Sequence, residues 1–295
     1  MGEDVVVSWF ASPDEVTERL GATGYLADPA TSTTAYLAGA LEKPLLVEGP
    51  AGVGKTELAK AVARVTGADL VRLQCYEGLD EARALYEWNY KKQLLRIQSS
   101  QGSDQSWSET HDDIFTDEFL LTRPLLTAIR RDDPTVLLVD EVDKTDVEVE
   151  GLLLEVLSDF QVTIPELGTV AAVRRPFVVL TSNASRELSE AVKRRCLYLH
   201  LDYPDAERER EIVASQVPDL DDRVTAQLVA TVARLRELEL KKAPSIAESV
   251  DWARTLVALE VDDLDPETVD ATLGVVLKHA SDHEKALKAL RGPRR

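Results

Sequence analysis

The stretch VEGPAGVGKTELAK, residues 47–60, packs three glycines, a lysine and a threonine into the eight positions 49–56. It fits the pattern GxxxxGK[ST], with Gly49, Gly54, Lys55 and Thr56 at the fixed places. Glycines let the backbone fold into a nest of N–H donors close to a polyphosphate. A helix that follows points its positive end at the same place. Gly49, Pro50, Ala51, Gly52, Val53, Gly54, Lys55, Thr56 and Glu57 are therefore the expected nucleotide-contacting run. In it Lys55 neutralises the outer phosphates and Thr56 offers its hydroxyl to magnesium. No NKxD sequence occurs to select guanine, so the expected ligands are ATP and Mg2+.

Outward from that loop, PLLVEG (44–49) reads as a short buried strand and TELAKAVARVTG (56–67) as a helix that Gly67 stops. DLVRLQC (69–75), TVLLVDEVD (135–143), PFVVLTSN (176–183) and CLYLHLDYP (196–204) read as further strands. Helical segments separate them, DEFLLTRPLLTAIRR (117–131) and VEVEGLLLEVLSDF (147–160) among them. Strands alternating with helices predict an α/β fold: a parallel five-stranded sheet covered on both faces. After Pro204 the character changes. Residues 205–216, 223–240, 245–260 and 266–290 carry helical periodicity, with breaks at VPDLDD, KKAP and DDLDP. The expected division is an α/β nucleotide-binding domain over 1–204 and a small all-α lid over 205–295. Residues 99–118, polar and acidic with no Lys or Arg, read as an exposed, mobile loop.

VLLVDE (136–141) buries a strand and delivers two carboxylates at its C-terminal end, where ligands bind in open α/β sheets. Asp140 is the expected magnesium holder and Glu141 the general base that polarises the attacking water. Asn183 ends the next strand, where its amide could orient that water. Arg194 and Arg195 close a helical stretch before the last strand. A planar guanidinium suits the charge developing on a transferred phosphoryl group, and here it would serve a neighbouring subunit.

The net charge of −19 over 295 residues weighs against a broad grip on nucleic acid, which needs clustered Lys and Arg, and against anionic membranes. Two cysteines, Cys75 and Cys196, make no disulfide framework and no zinc pair. The N-terminus has acidic residues where a signal peptide needs basic ones, and no run is long enough to span a membrane. The expectation is a soluble cytoplasmic protein without nucleic-acid partners or stable membrane insertion.

A phosphate loop, a VDE strand end, TSN, and a basic residue before the last strand, in that order and followed by a helical lid, resemble the AAA+ ATPases. LLEVLSDFQVTIPELGTVAAV (153–173), read as a helix then a β-hairpin over about 160–173, resembles the MoxR branch. The helical insert over about 76–98 resembles MoxR-type proteins encoded with carbon monoxide dehydrogenase and related molybdenum hydroxylases. The resemblance implies a Walker A loop at Gly49 to Thr56, Walker B at Asp140 and Glu141, sensor 1 at Asn183, and an arginine finger at Arg195, with Arg194 its close competitor. It also implies a hexameric ring of ATP hydrolases that remodel or mature a client metalloenzyme, with a von Willebrand factor A domain protein as partner. One departure stands out: APSIAESVDWAR (243–254) has Ala247 where a sensor 2 arginine is usual. Either Arg254 substitutes, or the lid couples weakly to the γ-phosphate. The alternative function is then a slow nucleotide-gated binding module.

Other residues are read more plainly. His279 and His283 are four apart on an expected helix but lack a third ligand, so they read as an exposed polar face. Tyr86, Trp88 and Tyr90 read as helix packing, with a recognition patch as the alternative. Cys75 and Cys196 fall in strands, where cysteine is usually inert core. Gly24, Tyr25 and Leu26, expected to precede the first helix, are candidates for contact with adenine.

Overall fold

The computed structural model describes residues 9–99 and 113–290. The chain divides into two compact units. The first gathers the described residues up to Thr23 with Ala27–Glu48 and Thr56–Leu199; the second gathers Gly24–Leu26, Gly49–Lys55 and the chain from His200 onward.

Unit 1 is built on a sheet of β1 (Leu45–Glu48), β2 (Asp69–Gln74), β5 (Thr135–Asp140), β8 (Phe177–Ser182) and β9 (Leu197–His200). Their order is β2-β5-β8-β1-β9, and β1 with β8, β2 with β5 and β5 with β8 run parallel. Every residue of β5 and β8 is buried, as strands covered on both faces require. Gln74 faces Asp140 and Glu48 faces Ser182 in the register. The C-terminal ends of β2, β5, β8 and β1 therefore share one edge of the sheet. Among the described residues the helices of this unit are α1 (Pro13–Gly21), α2 (Pro29–Ala40), α3 (Lys55–Thr66), α4 (Glu81–Ala84), α5 (Tyr90–Ser99), α6 (Pro124–Arg130), α7 (Val147–Asp159) and α8 (Glu190–Lys193). Residues 24–26 thus follow α1 and do not precede the first helix. The hairpin is present as β6 (Gln161–Ile164) and β7 (Gly168–Ala171), paired antiparallel.

Three expectations are corrected here. The single helix read over 117–131 is a 3-10 turn (Asp117–Phe119), a strand β4 (Leu120–Thr122) and α6. Arg123 is extended at φ −108° and ψ 174°, the conformation that a following proline imposes, so no helix runs through it. The insert read as helical over 76–98 contains the strand β3 (Tyr86–Trp88), antiparallel to β4. Trp88 is buried against Phe115, ring to ring at 5.1 Å, which removes it from any recognition patch. Tyr90 alone of the three aromatics is well exposed. Of the acidic segment 99–118, residues 100–112 lie outside the described residues. Beyond them Ile114 is buried and its carbonyl accepts from Gln93 Nε2 at 2.8 Å, so this end of the segment is held and not loose.

In unit 2 the helices are α9 (Ala206–Gln216), α10 (Asp222–Arg236), α11 (Ile246–Ala258), α12 (Pro266–Thr272) and α13 (Ala280–Leu290). Asp205, Asp221, Ser245 and Asp265 cap four of them, each oxygen satisfying N–H groups that a helix start leaves unpaired. Val224, Leu228, Val232 and Leu235 form the buried stripe of α10. The one helical period read over 266–290 is broken by a 3-10 turn at Leu273–Val275, around Gly274, a poor helix former. Glu209, 1% exposed, is held by Arg236 through two hydrogen bonds of 2.5 and 2.9 Å and by Ser249 Oγ at 2.6 Å. Trp252 is fully buried and donates Nε1–H to Thr272 at 2.8 Å. Among the described residues no helix is long and apolar enough to cross a membrane.

Trp252→Ala empties the centre of this helical core and removes the indole donor from the Thr272 hydroxyl, which keeps its own bond to the Thr268 carbonyl at 2.7 Å. It is expected to cost about 3–5 kcal/mol in urea denaturation. Arg254→Ala, on the exposed side of the same helix, should stay within about 0.5 kcal/mol of wild type.

Candidate functional site

The phosphate-loop segment Gly49–Lys55 links β1 to α3 and is glycine-rich for steric reasons. A Cβ on Gly49 would stand 1.9 Å from the Leu201 carbonyl oxygen, and one on Gly52 would stand 2.3 Å from Ser245 Oγ. Gly52 also has φ +76°, in the region that side chains avoid. Lys55 is 7% exposed and donates from Nζ to the carbonyls of Gly49 at 2.8 Å and Pro50 at 2.7 Å. A buried ammonium so held is fixed in direction, which a phosphate-binding cation requires. A Cβ on Gly54 would lie 3.6 Å from the ring of Tyr25, so one of the three adenine candidates borders the loop.

Within unit 1, Asp140 is 2% exposed. Its Oδ1 accepts Thr56 Oγ1 at 2.9 Å and Thr181 Oγ1 at 2.5 Å. Its Oδ2 accepts Arg72 through Nε at 3.1 Å and Nη2 at 2.5 Å. A hydroxyl beside a buried carboxylate is an oxygen set that suits magnesium, which keeps several waters and takes one or two carboxylates plus substrate phosphates. Thr56 and Asp140 therefore fit the metal assigned to them. No cluster of three or more His, Cys, Asp or Glu suited to a metal occurs among the described residues. His283 instead directs Nε2 to the Leu277 carbonyl at 2.8 Å, and His279 precedes α13 and does not lie on it.

Strand β5 ends at Asp140, three residues before the end of the strand read over 135–143. Glu141 takes the left-handed conformation at φ 57° and ψ 49°, rare for a residue with a side chain. Its N–H donates to Thr181 Oγ1 at 2.9 Å. The turn throws the Glu141 carboxylate sideways along the sheet edge. There Asn183 Nδ2 donates to Oε1 at 3.3 Å and Gln74 Nε2 to Oε2 at 3.2 Å. Thr56, Asp140, Glu141 and Asn183 are thus brought into one hydrogen-bonded group.

Four members of the group went unread in the sequence: Arg72, Gln74, Thr181 and Asp143. Arg72 and Gln74 alternate on one face of β2, and polar residues at period two on an otherwise apolar strand were the available signal. Asp143, 3% exposed, accepts Asn183 N at 3.1 Å, Ser185 N at 3.0 Å and Ser185 Oγ at 2.5 Å. Burial pushes its carboxyl up, but these hydrogen bonds prevail and hold it below the ordinary aspartate value. The thiol of Cys75, one residue past β2, is pushed up to about 12 by burial and by the nearby carboxylates, Asp140 foremost, and that of Cys196 to about 12 by burial. Both thiols stay protonated and inert.

The two arginines stand apart from this group, at the C-terminal end of α8. They line a cleft of about 480 Å³ with Ser158, Phe160 and Arg175. Arg195 is engaged within its own chain, donating to Ser158 Oγ and, at 3.0 Å, to the Ala191 carbonyl. Arg194 is 81% exposed, with Glu190 only at 4.0 Å. In unit 2, Ala247 donates its N–H to the Gly52 carbonyl at 3.3 Å. Arg254 lies seven residues further along α11, about 10 Å at 1.5 Å per residue, and pairs with Asp251 at 3.3 Å.

Because the Asp143 shift is downward, the stability it lends is complete above the unfolded value of about 3.9. It is lost as pH falls through the lower native value. Asp143→Asn should therefore be less stable than wild type at pH 7, with the gap closing below pH ~4 in a urea series. A gap that does not change with pH would show that the charge of Asp143 is immaterial.

Comparison with known proteins places this arrangement. The family described as AAA domain (dynein-related subfamily) matches residues 44–196, just over half of the chain. The gas vesicle ATPase GvpN of Haloferax mediterranei is 28% identical over 260 residues, covering 82% of this chain and 71% of GvpN. An uncharacterized protein of Staphylococcus haemolyticus is 25% identical over 226 residues, covering 74% of this chain and 77% of its own. Among solved structures, a point mutant of Thermotoga maritima RuvB aligns with TM-score 0.49 at 18% identity, over 90% of this chain and 72% of that one. With its phosphate loop, parallel sheet and family match, the chain belongs to the AAA+ ATPases, in the dynein-related AAA domain family.

Proposed function

We propose that this chain is a MoxR-type AAA+ ATPase that hydrolyses ATP in a homo-hexameric ring and spends the energy on remodelling or maturing a partner protein. The observation that carries hydrolysis is the Glu141–Asn183 contact at 3.3 Å, built on the Asp140 group. A carboxylate and an amide sharing one edge of the sheet can hold a water between them and draw its proton. The backbone N–H groups of 51–55 and the Lys55 ammonium would bind the phosphates, and Thr56 and Asp140 would hold magnesium. When bound, the metal neutralises charge on the β- and γ-phosphates. Assembly is supported by Arg194: a guanidinium 81% exposed, held only by a loose pair with Glu190 at 4.0 Å, is free to serve another subunit. On that ground Arg194, and not the internally bonded Arg195, is assigned as the finger.

The β6–β7 hairpin supports the MoxR reading. A von Willebrand factor A domain protein and a client metalloenzyme remain the proposed partners on resemblance alone. GvpN, whose name makes it an ATPase, supports hydrolysis more than it supports any client. A second reading, a slow nucleotide-gated module, is favoured by the place of Ala247. It meets Gly52 with a backbone N–H and brings no guanidinium, and Arg254 is engaged elsewhere.

ATP turnover per subunit across protein concentrations separates the two. A ring predicts turnover that rises with concentration, loss on Glu141→Gln, and loss of about 10³-fold or more on Arg194→Ala, with Arg195→Ala milder. Flat, slow turnover at every concentration would favour the gated module. A loss confined to Arg195→Ala would move the finger to that residue.

A further inference from the structure

We propose that Arg72 is a resident counter-cation of the magnesium site, competing with the metal for Asp140 and so setting how much magnesium nucleotide binding requires. The inference rests on the ATP and magnesium site proposed above. It starts from the lone pairs of Asp140. Two hydroxyls take Oδ1, and a two-pronged guanidinium takes Oδ2. The carboxylate is 3% exposed and its charge is already compensated by Arg72, whose own side chain is 47% exposed. A hydrated magnesium ion at Thr56 needs a lone pair of Asp140 for one of its waters, so one donor must yield.

The donors are not equally free to do so. Thr56 and Thr181 sit at the start of α3 and within β8, with short side chains that cannot leave. Arg72 can: it is long, half in solvent, and rooted on an adjacent strand, where residue 72 faces Leu138 in the register. Charge points the same way. A guanidinium and a divalent ion held by one carboxylate repel each other in a partly buried site, where like charges are weakly screened. Hydrogen bonding gives the displaced side chain a landing point, because Arg72 Nη2 also donates to Gln74 Oε1. The two hydroxyls on Oδ1 keep Asp140 oriented without the arginine, so Arg72 is not needed to build the metal site. Its effect is on occupancy.

The test is a fluorescent ADP analogue titrated by anisotropy at magnesium levels from chelated to millimolar, on wild type, Arg72→Met and Arg72→Lys. Competition predicts that the half-saturating magnesium concentration falls about tenfold in Arg72→Met, by analogy with a lost charge–charge contact near a protein surface. Arg72→Lys should fall between the two. Thermal melting supplies a readout independent of turnover. Arg72→Met leaves a buried carboxylate uncompensated, so its melting temperature without nucleotide should drop, and magnesium alone should restore more of it than it adds to wild type. An unchanged or raised magnesium requirement in Arg72→Met overturns the inference and makes Arg72 a residue that orients Asp140. Should Arg72→Met fail to fold, Arg72→Lys decides by the same comparison: a fall supports competition and no shift overturns it. Wild type that binds the analogue at no magnesium level would overturn the nucleotide site as well, and so is told apart from failure of the competition alone.

Discussion

The buried carboxylate of Asp140 is the constraint from which the rest of unit 1 follows. An uncompensated carboxylate in a protein interior is costly enough that it either neutralises or collects partners. Asp140 collects four hydrogen bonds, from the first turn of α3, from β2 and from β8. They come from three different elements, so the group that a metal would use also fixes where those elements lie. The same residue ends one of the two fully buried strands of the sheet. Fold and site are here one set of hydrogen bonds.

That arrangement carries strain. Glu141 sits in a left-handed conformation with φ 57°, of a kind that costs about 1–3 kcal/mol and persists only where its surroundings over-determine it. Thr181 supplies the determination: its hydroxyl accepts the Glu141 N–H while donating to Asp140. One side chain on β8 thus locks the turn that aims the general-base candidate. Two residues on, Asp143 fixes the backbone around Asn183. The carboxylate and the amide that meet at 3.3 Å are therefore each held from behind by residues with no claim on a substrate.

Legibility in the sequence follows from the range of the forces involved. The loop at 49–56 and the strands at 45–48, 135–140 and 177–182 depend on neighbours within a few positions, and their patterns could be read. The role of Arg72 could not: its partner lies 68 residues away, and the period-two pattern it shares with Gln74 marks a polar face of β2 without saying what that face meets. The strand β4 was hidden for a similar reason. Leu120–Thr122 has a helical-looking neighbourhood, and only pairing with β3 across the insert makes it a strand. Glu141 shows a third limit. The sequence pattern extends β5 through Asp143, whereas a positive φ at a glutamate is imposed by tertiary bonds.

The net charge of −19 bears differently on short and long polyanions. At physiological salt, fields from exposed charges die within about 8 Å, so a small anion responds to the groups beside it and hardly to the total. Lys55, buried and held by two carbonyls, and the arginines about the α8 cleft are local cations in an acidic chain, and local is all that a triphosphate samples. A nucleic acid would have to lie along a surface for many charges, and there the excess of 53 acidic over 34 basic side chains would be felt at each step. The charge that discourages a long polyanion is therefore compatible with a site for a short one.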